Sequence, residues 1–336
     1  LEDVDTAIYV YPMDRRLKGL HRLVRPERRA KLLRQLFRNR PEHGHGTLHH
    51  LRYKPERRYV ASFDAPDGRR AAVKFYNVSG YRAALRAAQA FAPCGALRLA
   101  PCAGYLDKPQ VLAFDWQPGS TLQALLSDPH ATARDQRHAL ELTGAALAEL
   151  HCQTPKGLEP RTRDAERDRL WSQAVTIGHL CPELRSLAER LARDLVALVG
   201  DTPHTPGALH GDFNAEQVLI SSDNRATILD LDWAQLGDTA ADLGLFIAHL
   251  ERASQRGTVS RGQVEWNASV LADGYRAVKA PPPAALIHLY TAIGLFYLAA
   301  EPFRYRDPDW PEVIETLLVR AREILDQAGA VSKARV

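Results

Sequence analysis

The chain predicts an α+β protein of two lobes: a small β-rich lobe over residues 1–115 and a larger, mostly helical lobe over residues 116–336. Three observations carry that prediction. Three strand-like runs, TLHHLR (47–52), RRYVASFD (57–64) and RRAAVKFY (69–76), follow one another, with the turn Ala65-Pro66-Asp67-Gly68 between the last two. Past Pro118-Gly119 the apolar period changes from strand to helix. A short return to strand pattern, within about 208–232, then interrupts the helices. At 336 residues, 45% apolar and 25% charged, the chain is long enough for two cores and unlike a disordered one.

The elements follow in order. Residues 15–40 hold a run of Arg and Lys, yet Leu32, Leu33, Leu36 and Phe37 share one side of a helix there. The charges are therefore read as its solvated face. With a net charge of only +4, a nucleic-acid role is disfavoured. After the three strands an Ala-rich helix is expected over 79–92 with Ser79 as its N-cap. A turn-rich stretch leads to the strand QVLAFD (110–115), and Ser120 or Thr121 caps the next helix. Residues 131–151 suit a long helix ending at His151. Leu184, Leu187, Leu191, Leu195 and Leu198 recur at helical period in another. LHGDF, QVLI and TILDLD form the short β section, with SSDNR as the turn between the last two. From about Asp242 the pattern is helical, broken at Pro281–Pro283 and ending with a helix over 311–327.

The apolar run from Ala284 to Ala300 includes His288, Tyr290 and Thr291 and is slightly short for a bilayer. It is read as a buried helix, and no membrane partner is expected. Cys94, Cys102, Cys152 and Cys181 lack metal-ligand spacing and are read as reduced thiols. No signal-peptide pattern is seen, so the expected compartment is the cytoplasm.

Chemistry concentrates in one stretch. His210, Asp212, Gln217, Asp230 and Asp232 lie around the short hairpin. Singly, each reads as a turn-capping Asp or a core His. Together they exceed what packing explains, because an ionised carboxylate is costly to bury unpaired. Two carboxylates and an amide suit a hard cation such as magnesium on nucleotide phosphates, and a third carboxylate can take the proton of an attacking hydroxyl.

HGDFNAEQVLI followed by ILDLDWAQLGDTAADLG resembles the catalytic signature of the aminoglycoside phosphotransferase and choline kinase-like small-molecule kinases, which share the protein-kinase fold. The resemblance implies a protein-kinase-like bilobal fold, ATP and Mg2+ as cofactors, and a small-molecule hydroxyl acceptor as partner. It makes Asp212 the catalytic base and Asp230 a metal ligand. Gln217, five positions after Asp212, takes the place of the second metal ligand, usually Asn. The maltokinase branch looks similar in having Gln there. Asp242 would accept hydrogen bonds from the catalytic-loop backbone, with His210 supporting the loop.

Upstream, Lys74 in AAVKFY occupies the third-strand position where such kinases hold the α- and β-phosphates. No glycine-rich loop precedes it. The first turn reads RYKPERR, so Lys54, Arg57 and Arg58 are candidates to supply charge there, and the following helix offers Gln89 as its long polar acceptor. AFDWQPGSTL resembles the inter-lobe hinge, where adenine bonds to backbone, at Asp115, Trp116 and Gln117. By the same analogy the acceptor meets the C-terminal helices, with Asp232, Trp233, Glu301, Arg304 and Tyr305 as candidates. Neither a strongly acidic pocket for an aminoglycoside nor an aromatic cage for choline is evident, which leaves a sugar or polyol preferred. Two other classes stay open: a nucleotide-binding pseudokinase that regulates a partner, and a metal-dependent hydrolase using His210 with the Asp cluster.

Overall fold

The computed structural model describes residues 10–40, 45–201 and 206–333. The chain divides into two compact units. One holds the described residues up to Ala90 together with Leu99–Pro118; the other holds Phe91–Arg98 and the chain from Gly119 on.

In the first unit α1 (Pro26–Leu36) precedes β1 (Thr47–Lys54), β2 (Arg58–Asp64), β3 (Arg70–Tyr76) and α2 (Val78–Ala90). The chain lends β4 (Leu97–Leu99) to the second sheet, then continues with β5 (Cys102–Leu106) and β6 (Val111–Asp115). The five-stranded antiparallel sheet runs β1-β2-β3-β6-β5. The expected β2–β3 turn is present: Gly68 adopts φ +83° and its N–H donates to Ala65 O at 3.0 Å. Strand alternation sends Ala71, Val73 and Phe75 to one face, where Leu32, Leu33, Leu36 and Phe37 of the α1 region cover them. Phe37 and Phe63 stack there with ring centroids 4.8 Å apart. The basic segment is thus amphipathic, as its pattern predicts. On the opposite face Leu112 packs with Tyr81 and Ala84 of α2. The cap of α2 is Asn77 and not Ser79: Asn77 Oδ1 accepts from Gly80 N–H (2.9 Å) and from the Ser79 hydroxyl (3.1 Å).

The second unit opens with β7 (Ser120–Thr121), α3 (Leu122–Ser127) and α4 (Ala133–Cys152). Thr121 caps α3, and a Thr132–Asp135 capping box starts α4. Next come α5 (Arg163–Leu180), α6 (Arg185–Asp201), β8 (Pro206–Leu209), β9 (Val218–Ile220), β10 (Ala226–Ile228) and β11 (Gln235–Asp238). The remainder is α7 (Ala240–Gln255), α8 (Arg261–Arg276), α9 (Ala284–Leu298), α10 (Glu301–Tyr305) and α11 (Trp310–Lys333). Leu191 and Leu195 of α6 join α5, α9 and α11 in one core; Leu198 turns outward and Val199 takes the inner position. The segment Ala284–Tyr305 is long and apolar enough to cross a membrane by composition, but 56% of its apolar window is buried in this core. Residues 91–98 are fixed by α4 and its end. Gln153 bonds Ala92 N–H and C=O (2.9 and 2.8 Å), and Glu149 accepts from Leu97 N–H (2.8 Å).

Candidate active site

β8 delivers the chain to His210, and β11 pairs antiparallel with β8 (Gln235 opposite Leu209), so the loops on either side of the β9–β10 hairpin are drawn together. Within the hairpin Val218 pairs with Ile228, and Leu229 N–H donates to Gln217 O at 2.8 Å. This brings Gln217 and Asp230 to the same end of the hairpin. Asp230 adopts φ +60°, ψ +47°, a left-handed conformation open to Asp at some cost, and a short 3-10 turn over Leu231–Trp233 follows. Gly211 is also left-handed, and a Cβ there would stand 2.2 Å from Trp233 O. Only glycine lets the loop after β8 lie against the Asp232–Trp233 turn.

His210 ties these strands together from inside. Its Nε2 lies 2.7 Å from Leu229 O and its Nδ1 3.2 Å from Asp212 N. A carbonyl only accepts and an amide N–H only donates, so the imidazole is neutral with its proton on Nε2. Both ring nitrogens are engaged, which removes His210 as a metal ligand and with it the basis for the hydrolase. Asn214 braces the loop further: its Nδ2 donates to Asp212 O (3.1 Å) and its Oδ1 accepts from Glu216 N–H (2.9 Å).

Asp242 lies on α7, fully enclosed. Its Oδ2 accepts from His210 N–H (2.7 Å) and its Oδ1 from Gly211 N–H (2.9 Å). His151 Nε2 is 3.0 Å from Oδ2, and Tyr275 OH is 3.0 Å from His151 Nδ1. Burial alone would raise the Asp242 carboxyl. The His151 hydrogen bond and charge, aided by the backbone N–H of His210, outweigh it and hold the group below the usual carboxylate range. The carboxylate thus stays ionised and fixes two successive amides immediately before Asp212. His151 and Tyr275 are supporting residues that sequence reasoning missed.

In the first unit Lys74 stands on β3, directly between Val60 of β2 and Leu112 of β6. Strand alternation puts it on the α2 face, with Nζ 5.4 Å from the Phe114 ring centroid. The Asp115 carboxylate pairs with Arg40, whose Nη2 is 3.0 Å from Oδ2. Arg70 lies over the Trp116 ring at 4.2 Å. Asp115 N–H donates to Pro101 O (2.9 Å) and Trp116 N–H to Arg70 O (3.0 Å), while Gln117 Nε2 donates to Asp115 O (3.0 Å). The Asp115 and Trp116 N–H groups are thus engaged within the protein, and the Asp115 carbonyl keeps one lone pair beyond its bond from Gln117.

Of the acceptor candidates, Asp232 and Trp233 sit on the turn against Gly211, and Trp233 is exposed. Glu301 begins α10 and is paired with Arg252, whose guanidinium also lies 5.7 Å from the Tyr305 ring. Arg304 is exposed on α10. Among the described residues no group of three His, Cys, Asp or Glu side chains is arranged to hold a metal. The donor set at the hairpin end, one carboxylate and one amide, instead fits a hard cation completed by phosphate oxygens and water.

A family model described as APH, phosphotransferase enzyme family, matches residues 50–280. No curated protein matches the sequence. Among solved structures, the chain is similar to a thermostable mutant of the aminoglycoside phosphotransferase APH(4)-Ia in ternary complex with AMP-PNP and hygromycin B (16% identity, TM-score 0.58, covering 84% of this chain and 94% of that one). It is similar to a macrolide 2'-phosphotransferase type I (18%, 0.55, 88% and 97%). It also resembles the choline kinase LicA from Streptococcus pneumoniae (13%, 0.55, 84% and 93%). At such identities these likenesses establish the shared fold, and the expected protein-kinase-like architecture is the one observed.

Proposed function

The chain belongs to the phosphotransferase enzyme family and is a small-molecule kinase; from that premise we propose that it transfers the γ-phosphoryl group of ATP to the hydroxyl of a sugar or polyol. The observation that carries the reading is the buried anchor Asp242. Its two bonds to the His210 and Gly211 amides hold the backbone that presents Asp212. Preorganisation of this kind matters most where catalysis is chiefly positioning and charge neutralisation.

In the proposed reaction the acceptor oxygen attacks the γ-phosphorus, the bond to the β,γ-bridging oxygen breaks, and ADP departs with that oxygen. Asp212 orients the acceptor hydroxyl and takes its proton. Lys74 neutralises the α- and β-phosphates. Gln217 and Asp230 are the side chains that would hold magnesium, which supplies charge neutralisation to the phosphates when bound. The backbone at Asp115 and Gln117 would read adenine. The acceptor is proposed to lie beside Asp212, near Asp232 and Trp233, with helices after residue 242 as its wall. The AMP-PNP bound in a structure similar to this one supports ATP as the donor.

The test is an assay of ATP consumption with magnesium over a panel of sugars, aminocyclitols and amino alcohols. Acceptor-dependent ADP release, largest with a sugar or polyol, is the expected result. Nucleotide binding without turnover on any acceptor would favour the pseudokinase instead.

A further inference from the structure

α1 carries charge that its own fold does not use. Residues 15–40 hold eleven Arg and Lys against one acid, Glu27. At the two ends of this segment the cations are paired, Arg15 and Arg16 with Glu56 and Arg40 with Asp115. Between them they are not: among the described residues no acid pairs with Arg25, Arg28, Lys31, Arg34 or Arg38. Arg25, Arg28 and Arg29 crowd the N-terminal end of α1, where the helix dipole favours anions, and Arg25 at the N-cap makes no side-chain cap bond. Arg28, Lys31 and Arg34 follow at three-residue spacing on the exposed side, away from the buried Leu32, Leu33 and Leu36. Like charges at that spacing repel, and nothing among the described residues offsets the cost.

Apolar side chains stand in the open beside these charges. Val24, directly before Arg25, and Met13 are each 61% exposed. In the 3-10 turn Leu20–Leu23 residues three apart eclipse, which sets His21 and Val24 in one row. Met13, Lys18 and His21 line one small hollow beside it. Cations with exposed apolar tips among them match an anionic lipid surface. Its negative potential attracts Arg and Lys, and the boundary between headgroups and acyl chains takes up apolar tips. A nucleic-acid backbone would satisfy the charges and leave Val24 and Met13 unused. We infer that this side of the first unit is a docking surface for an anionic phospholipid membrane. Arg25, Arg28, Lys31 and Arg34 meet headgroup phosphates, and Val24 and Met13 enter the headgroup boundary. The contact is peripheral: the expectation of no membrane partner concerns the buried run Ala284–Ala300, and adsorption needs no span. It does not depend on the ATP reading.

Co-sedimentation of the full chain with vesicles tests it, using phosphatidylcholine alone and phosphatidylcholine mixed with phosphatidylglycerol. The protein should partition onto the mixed vesicles only, and less so as added salt shortens the screening length. Lys31→Ala with Arg34→Ala should weaken that partition by roughly thirtyfold, as the loss of two cations near the surface implies. Val24→Asp should weaken it by roughly fivefold to tenfold. All three side chains are exposed, so each variant should melt like the wild type. Wild-type partition that is equal on both vesicles, or absent from both, would overturn the docking surface, as would a double variant that partitions like the wild type. A duplex DNA oligomer is the competing probe. Tighter binding to it than to mixed vesicles, by wild type and Val24→Asp alike, would overturn the lipid assignment in favour of nucleic acid.

Discussion

By the resemblance, Gln217 takes a position usually filled by Asn, one methylene shorter. Its backbone is tied at both ends, by its own N–H to Asn214 O (3.0 Å) and by its C=O to Leu229 N–H (2.8 Å), so only the side chain can adjust to a metal. Magnesium demands oxygen ligands at about 2.0–2.1 Å in near-octahedral array. Gln217→Ala should therefore raise the magnesium concentration needed for half-maximal turnover steeply and lower the plateau. An unchanged magnesium titration would remove Gln217 from the metal site. At this scale the grouping of Asp212, Gln217 and Asp230 was legible, because they are residue types that packing explains poorly, and they crowd into one short span. Their supports were not. His151 lies 91 residues from its partner Asp242, and Tyr275 lies 124 residues from His151. No local pattern joins them. Asn214, a turn former in a loop, looks the same in sequence whether or not it braces a neighbour.

Strands with clear alternation and a strong turn, such as β2 and β3, were readable at their ends to within a residue. β5 was hidden inside a turn-rich stretch, since its five residues CAGYL include a glycine and carry weak strand propensity. α5 was missed for another reason. Its first half is mostly Arg, Asp and Glu, and the apolar face begins only at Leu170. The crossing of α4 and α8 is likewise invisible in one dimension, yet it decides whether His151 meets Tyr275. A Cβ on Gly274 would stand 2.1 Å from Glu141 O, and one on Gly144 2.1 Å from Leu271 O. Both obstacles are helix backbone, which cannot step aside as a side chain can. Gly274→Ala should force the helices apart and cost roughly 1–3 kcal/mol, the range for overpacking, in urea unfolding. Unchanged stability would mean that the two helices can separate freely.

Over the whole molecule, a shared fold at 13–18% identity shows how little sequence the architecture requires. What it requires is patterned burial: one apolar side of the α1 region against a sheet, and a helical core around α9. The loop over 210–214 is then set by a handful of buried polar bonds, and the chemistry proposed for it depends on one carboxylate, Asp212. The direct test is Asp212→Asn, assayed for both ATP affinity and phosphoryl transfer to the best acceptor found in the panel. Asn keeps the shape and cannot accept the hydroxyl proton. The account predicts ATP affinity close to wild type with transfer reduced on the order of 10²–10⁴-fold. Transfer that stays near the wild-type rate in Asp212→Asn would contradict the assignment of Asp212 as the base.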